Sequence, residues 1–515
     1  MLSTVFSAGL WGIDGYIVTV ECNGQQRIPG FELVGLPDLA VKEAKERVRT
    51  ACENSGYSFP PLAHTLNLAP ADRRKEGSGF DTAMLLGILR NGGAVRSTVD
   101  FSDKCFVGEL SLSGSLRPVH GILCMCVAAK EAGFAEFYAP AENAAEAAAV
   151  KGIRVYAVNN IRQLVRHLHG EEPLSPITFD EGSLGGRAER SVPDFADVKG
   201  QKLAKRALEI AAAGGHNVLL IGPPGTGKSM LAKRIPSILP PMSFEEAIET
   251  TKVHSVAGTL PEGVSLLPLR PFRSPHHTMS AVSLVGGGTT PKPGEVSLAH
   301  NGVLFLDELA EFPKQVTDAR RQPLEDRRVT ITRAAGRLTY PCSFMLVAAM
   351  NPCRCGNFGH PTKPCTCKPK DVKSYLSKIS GPVLDRFDIQ IELPALSYEE
   401  LASRTESEEP SASIRERVIA ARARAAHRLR DEEGIYCNAQ LSSSSLRTHC
   451  RLDPSADKLL HAAYDRMGLS ARGYDRILRV ARTIADLDGA EEIGAKHVAE
   501  AIQYRSLDKK YWGTT

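Results

Sequence analysis

Across 515 residues the sequence contains no run of about eighteen uncharged apolar residues, which excludes a legible membrane-spanning helix. Its opening, MLSTVFSAGLWGIDGYIV, lacks the basic-then-apolar order of a secretory leader. A soluble, cytoplasmic protein without a membrane partner is therefore expected. No internal repeat is present, so the domains must be read one by one. Neither sign of charge dominates: the net charge of +4 is too mild to name a partner, because nucleic-acid contacts depend on local clustering. Twelve cysteines are present, but eight of them are scattered singly or lie in apolar runs such as ILCMCVAA. A small buried hydrophobe is the better reading there than a disulfide framework.

What is present divides the chain. At roughly 150 residues per domain, about three domains are expected. Over 1–169, alternating apolar segments (YIVTVEC, FVGEL) mix with amphipathic helices (LAVKEAKERVRTACENSG, AMLLGILRNGG), predicting an α+β domain. The stretch 170–194 is rich in Gly, Pro, Ser and charge without a period, and reads as a linker. Over 195–394, short apolar runs (NVLLI, GVLFLDE, FMLVAAMN, FDIQIEL) alternate with helical ones, predicting an α/β core around a parallel sheet covered on both faces. Over 395–515 the pattern is helical, with start signals at SASIRERV, DPSADKLLHAAY and AKHVAEAIQYRSL.

The chemistry begins at HNVLLIGPPGTGKSMLAKRI, an apolar strand, a glycine-rich turn and a helix. Gly222, Pro223, Pro224, Gly225, Thr226, Gly227, Lys228 and Ser229 fit G-x-x-x-x-G-K-[ST]. In that pattern backbone N–H groups wrap phosphates, the lysine reaches the terminal phosphates and the serine hydroxyl ligates Mg²⁺. A second strand, GVLFLDE, ends in Asp307, suited to the Mg²⁺ shell, and Glu308, suited to orient and deprotonate water. A helix N-terminus enriched in acid is the alternative for that pair. A third strand, SFMLVAAMN, ends at Asn351, placed to hydrogen-bond the γ-phosphate or the water, and Arg386 precedes a final strand.

These features together resemble an AAA+ ATPase. The resemblance makes GPPGTGKS the Walker A motif, LFLDE Walker B, Asn351 sensor 1, Arg386 the arginine finger and Arg472 the sensor 2 arginine. It implies ATP and Mg²⁺ as cofactors and a homohexameric ring, in which Arg386 acts on the adjacent subunit. The glycine-rich stretch RPFRSPHHTMSAVSLVGGGTTPKPGEVSLAHNG resembles the helix-2 insert of the magnesium-chelatase and MCM branch. RRVTITRAAGRLTYP alternates on both sides of RAAG, which predicts a β-hairpin with Arg333 and Arg337 near its tip. In that branch it would be the pre-sensor 1 hairpin aimed into the pore, where the two arginines would meet DNA phosphates. The alternative is an exposed hairpin with solvating arginines.

From VFSAGLWGIDGYIVTVEC through NLAPADRRKEGSGFD and NPCRCGNFGH to HVAEAIQYR, the chain resembles the bacterial YifB/ComM family of Mg-chelatase-like ATPases end to end. That resemblance implies an N-terminal Lon-protease-like domain, an AAA+ core and a helical lid. It further implies branch migration on branched, single-stranded or double-stranded DNA when incoming strands are integrated by homologous recombination during natural transformation, with recombination proteins as possible partners. In RRKEGSGFD the slot of a Lon-like nucleophile falls on Gly79, with Ser78 one place early, and RPVHGILCMC offers no lysine for the second member of the dyad. A serine needs an adjacent base, so a structural or DNA-contacting domain is expected.

Cys353, Cys355, Cys365 and Cys367 form two C-x-C pairs nine residues apart, with His360 between them. They form a candidate Zn²⁺ site, reduced free cysteines being the alternative. Near the C-terminus, SIRERVIAARARAAHRLR packs six arginines into eighteen residues around a stripe of Ile414, Val418, Ala421, Ala425 and Leu429. Those arginines read chiefly as a solvated face, a DNA-facing role being the alternative. Three functions are thus weighed. An ATP-driven DNA motor leads, a chelatase-type remodeller of a protein partner is second, and a Lon-like protease, disfavoured by Gly79, is third.

Overall fold

The computed structural model describes residues 1–179, 192–261, 263–288, 291–319, 321–333, 336–360, 362–395, 408–432 and 434–512. Residues 180–191 of the expected 170–194 linker lie outside the described residues.

The N-terminal part is built on β1 (Leu2–Trp11), β2 (Asp14–Gln25), β3 (Gly30–Val34), β4 (Ala63–Ala69), β5 (Lys104–Phe106), the small hairpin of β6 (Glu109–Leu110) and β7 (Leu116–Arg117), then β8 (Glu136–Pro140) and β9 (Arg154–Val158). Seven of these strands form one mixed sheet in the order β3-β4-β2-β1-β5-β8-β9. Alternation along the strands supplies both faces. Val18, Val20 and Cys22 of β2 pack with the helices Leu39–Asn54 and Asp81–Asn91. On the other face, Ala8 and Phe137 pack with the helices Ile122–Glu131 and Ala141–Ala147. An α+β domain is what the pattern predicted.

The central part contains β10 (Val218–Ile221), β11 (Phe272–Arg273), β12 (Gly286–Gly287), β13 (Lys292–Pro293), β14 (Val303–Leu306), β15 (Arg328–Arg333), β16 (Gly336–Pro341), β17 (Met345–Met350) and β18 (Ile389–Glu392). Five of them make an all-parallel sheet in the order β11-β14-β17-β10-β18. Every residue of β10, β14 and β17 is buried, as continuous apolar runs require when both faces are covered. Parallel pairing puts all the C-terminal strand ends on one edge. β12 pairs with β13, and β15 with β16, as two-stranded excursions from this sheet. They touch: a Cβ on Gly286 would lie 3.1 Å from Cδ1 of Ile331, and the Tyr340 hydroxyl donates to the Pro291 carbonyl at 2.9 Å.

The C-terminal part is helical, with long helices over Ser411–Arg428, Pro454–Met467 and Ala471–Leu487. Ile414, Val418 and Ala421 share one core with Val218, Val347 and Ile389, so the helical end is fused to the sheet. The expected apolar stripe is buried in full. The arginines lie off that stripe: Arg417, Arg424 and Arg430 are exposed and Arg415, Arg422 and Arg428 half-buried, and several of them also reach neighbours. Arg417 pairs with Glu209 and Glu409, Arg422 donates to the Ala212 carbonyl, and Arg424 and Arg428 bind Asp486. The N-terminal part docks where the Gly121 amide donates to the Ser255 carbonyl at 3.2 Å, and where Trp11 covers Gly336 of β16. No helix among the described residues is long and apolar enough to cross a membrane.

Candidate active site

β10 delivers the chain to the C-terminal edge of the sheet, where Gly222 turns against the segment after β18; a Cβ there would lie 2.5 Å from the Leu393 carbonyl oxygen. Gly225 and Gly227 adopt φ of 81° and 88°, and a Cβ on either would meet open space. The left-handed conformation explains the glycines, and the open side leaves room for a phosphate against the loop amides. Lys228 begins the following helix, and its ammonium donates to the Gly222 and Pro223 carbonyls at 2.7 and 2.8 Å and to Asn351 Oδ1 at 3.2 Å. Burial pulls its pKa down to about 8, opposed by the Asp307 carboxylate.

The end of β14 places the carboxylates. Ser229 Oγ donates to Asp307 Oδ2 at 2.5 Å, and the Glu308 amide donates to Asp307 Oδ1 at 3.0 Å. A hydroxyl and a carboxylate so close are a hard-oxygen pair suited to Mg²⁺. Glu308 itself sits at φ 52°, a left-handed conformation that costs a non-glycine residue energy. Its Oε2 lies 3.4 Å from Nδ1 of His277. Sequence reasoning missed His277; the signal was the PHH that follows Ser274 at the end of β11, the strand hydrogen-bonded to β14.

Arg386 and Arg472 are not brought to this cluster. Both line a cavity of about 760 Å³ whose wall includes Asn217, Gly302 and Met345, at the N-terminal ends of β10, β14 and β17. The phosphate loop is at the other end of strands that rise about 3.3 Å per residue. Arg386 pairs with Glu325 and donates to the Pro382 carbonyl at 3.2 Å.

Arg337 is exposed on β16, opposite Thr332 of β15. Residues 334–335 and the side chain of Arg333 lie outside the described residues. In the N-terminal part, a Cβ on Gly79 would lie 3.7 and 3.9 Å from Cγ1 of Val107 and of Val119. Ser78 donates to Glu109, and buried Lys75 donates to the Arg73 carbonyl at 2.9 Å.

The four cysteines converge: their sulfurs all lie within 4.8 Å of one another, with Cys353 3.4 Å from Cys355 and 3.7 Å from Cys365. Tetrahedral zinc with Zn–S near 2.3 Å separates its sulfurs by about 3.8 Å, so the set fits zinc. Backbone N–H groups at Asn357 and Thr366 hold the Cys355 thiol down at about 5, whereas burial pushes Cys353 up to about 12.

A sheet of this order with a phosphate loop, an acid pair and an asparagine on one edge defines a P-loop ATPase of the AAA+ type. Family models agree: magnesium chelatase, subunit ChlI, matches residues 194–401, its C-terminal model matches 408–505, and subunit ChlI of Mg-chelatase matches 20–143. Competence protein ComM of Haemophilus influenzae is 42% identical over 511 residues, 98% of each chain. The uncharacterized protein YifB of Salmonella typhimurium is 40% identical over 511 residues, 99% of this chain and 98% of that one. Lon protease 2 of Bacillus subtilis is 28% identical over 146 residues, 27% of this chain and 26% of its own, a partial likeness that goes with the N-terminal domain. The chain belongs to the YifB/ComM family of Mg-chelatase-like AAA+ proteins.

Proposed function

We propose that this chain is an ATP-driven motor that assembles as a homohexameric ring and moves strands on branched DNA, promoting branch migration during homologous recombination in natural transformation. The carrying observation is the split site: Lys228, Ser229, Asp307, Glu308 and Asn351 gather at one edge of the sheet, while Arg386 and Arg472 wait at the other. A phosphoryl-transfer centre completed by a neighbour's arginines explains that separation. The loop from Gly222 to Gly227 would cradle the phosphates, and Ser229 with Asp307 would hold Mg²⁺, which neutralises charge on the terminal phosphates. Glu308 would orient the attacking water and take its proton, with Asn351 beside it.

The DNA substrate is supported by the end-to-end likeness to competence protein ComM and by the exposed Arg337 on a two-stranded excursion. We divide the chain at 1–169 (a Lon-like domain without a catalytic dyad), 170–194 (linker), 195–394 (ATPase core) and 395–515 (helical lid). The matching chelatase models favour a second reading, a remodeller of a protein partner.

Hydrolysis with and without forked DNA at low salt separates the two. The DNA motor predicts stimulation, lost in Arg333→Ala with Arg337→Ala, while basal turnover and the ring persist. Each phosphate contact removed should lower the salt slope of binding by about one. Indifference of the wild-type enzyme to forked DNA makes the protein substrate the better reading.

A further inference from the structure

The cavity beside Glu308 and Asn351, about 290 Å³, is lined among the described residues by four others: Glu311, Arg354, Tyr375 and Lys378. Two of these explain each other, since Lys378 pairs with Glu311 at 3.2 Å and lies over the Tyr375 ring. Arg354 has no such partner. Among the described residues its side chain makes no hydrogen bond or ion pair, yet it lines the same cavity as the two groups nearest the expected terminal phosphate.

Its placement is built, not incidental. The Gly356 amide donates to the Cys353 carbonyl at 3.0 Å, closing a tight turn with Arg354 at its second position. The turn follows Asn351 by two residues, and its first cysteine is buried, so the turn is anchored to the end of β17. On its other side it rests on the phosphate loop: a Cβ on Gly356, which sits at φ 80°, would lie 2.4 Å from Cδ of Pro224. The cysteine loop therefore sits between Walker A and sensor 1, and its exposed Arg354, unpaired among the described residues, lines the space beside Asn351 and Glu308.

We propose that Arg354 is an arginine supplied in cis to the terminal phosphate. This rests on the reading of the site as an ATPase. In the reaction a water oxygen bonds to the γ-phosphorus, a water proton passes to Glu308, and the bond to the β–γ bridging oxygen breaks, leaving its electron pair on ADP. Negative charge shifts over the phosphoryl oxygens as this happens, and a guanidinium brought against them by the cysteine-loop turn stabilises it more in the transition state than in the ground state. The neighbour's arginine acts from across the subunit boundary; Arg354 acts from within.

The test measures ATPase kinetics, binding of a fluorescent ATP analogue, melting temperature and zinc content for wild type, Arg354→Ala and Arg354→Lys. Arg354→Ala leaves all four cysteines in place. The expected result is a fall in kcat of about tenfold or more with little change in KM or analogue affinity, and partial recovery in Arg354→Lys, since lysine restores charge without the planar fork. Wild-type turnover that Arg354→Ala matches overturns the proposal and leaves the ATPase reading standing. A loss of activity in both variants that tracks a lowered melting temperature also overturns it, by making Arg354 a brace of the loop. Absence of turnover in the wild type itself overturns the ATPase reading, and the proposal with it.

Discussion

Lys228 and Glu308 are expected to meet the same phosphate group in opposite ways, one by neutralising its charge and the other by preparing the water that attacks it. Lys228→Ala should therefore abolish or severely weaken productive ATP binding. Glu308→Gln keeps the shape and the contact distance to His277 but cannot take a proton, so it should bind ATP and arrest hydrolysis. Nucleotide binding and phosphate release, measured on both variants, decide this; normal turnover in Glu308→Gln would sink the assignment. A different carboxyl reports on folding. Glu146 is buried where the N-terminal part docks, accepting hydrogen bonds from the Leu123 amide and from Ser255 Oγ. Burial pushes its pKa up to about 7 from an ordinary 4.5. The folded chain then holds a proton that the unfolded chain has lost, so stability falls as pH rises from about 4.5 to about 7, by up to about 3 kcal/mol. Glu146→Gln keeps both acceptor contacts and should lose less stability than wild type between about pH 5 and 8 in thermal melts; an equal loss in both proteins would show that Glu146 does not carry it. The phosphate-loop residues were legible in the sequence because their geometry is local. His277 and Arg354 were not, since each acquires meaning only when strands distant in sequence become neighbours.

At the scale of elements, the cysteine loop is the one whose residues themselves suggest a ligand. Four sulfurs within 4.8 Å of one another in a short loop crowd polar, partly ionised groups together, and zinc would relieve that by taking them as thiolates. Protein purified without chelator should carry about one zinc per chain by elemental analysis, and replacement of all four cysteines by serine should remove it. Zinc that persists in that variant would place the metal elsewhere. The two C-x-C pairs were visible in sequence, but their seat against Pro224 was not, because it follows from β17 lying beside β10. The hairpin of β15 and β16 was legible for a simpler reason: Val329, Ile331 and Tyr340 alternate with Thr330, Thr332 and Thr339, and a period of two states its own geometry. The arginine-rich helix shows the opposite case. Its apolar stripe was legible, whereas the partners of its cations were not, since Glu209 and Asp486 come from helices far away in the chain.

For the whole molecule, the separation of Arg386 and Arg472 from Lys228 is the feature behind the proposed ring. All five strands of the central sheet run the same way, so the groups following them and the groups preceding them are held on opposite edges by the full length of a rigid element. Swinging Arg386 around that edge would break its pairing with Glu325 and pull apart a turn whose carbonyl at Arg386 accepts from Asn217 at 2.9 Å. A second copy placed edge to edge needs no such movement, and repetition of one heterologous contact closes a ring. Arginine fingers supplied across such a contact contribute on the order of 10³-fold or more in rate. Lys228→Ala and Arg386→Ala chains should therefore each be inactive alone, one lacking the phosphate lysine and the other the finger. Mixed, they should regain part of the activity, because an interface pairing the intact phosphate loop of the Arg386→Ala chain with the intact finger of the Lys228→Ala chain is complete. Turnover measured across mixing ratios should peak at intermediate compositions; no recovery, with co-assembly established by cross-linking or co-purification, would mean that Arg386 acts within its own chain or not at all.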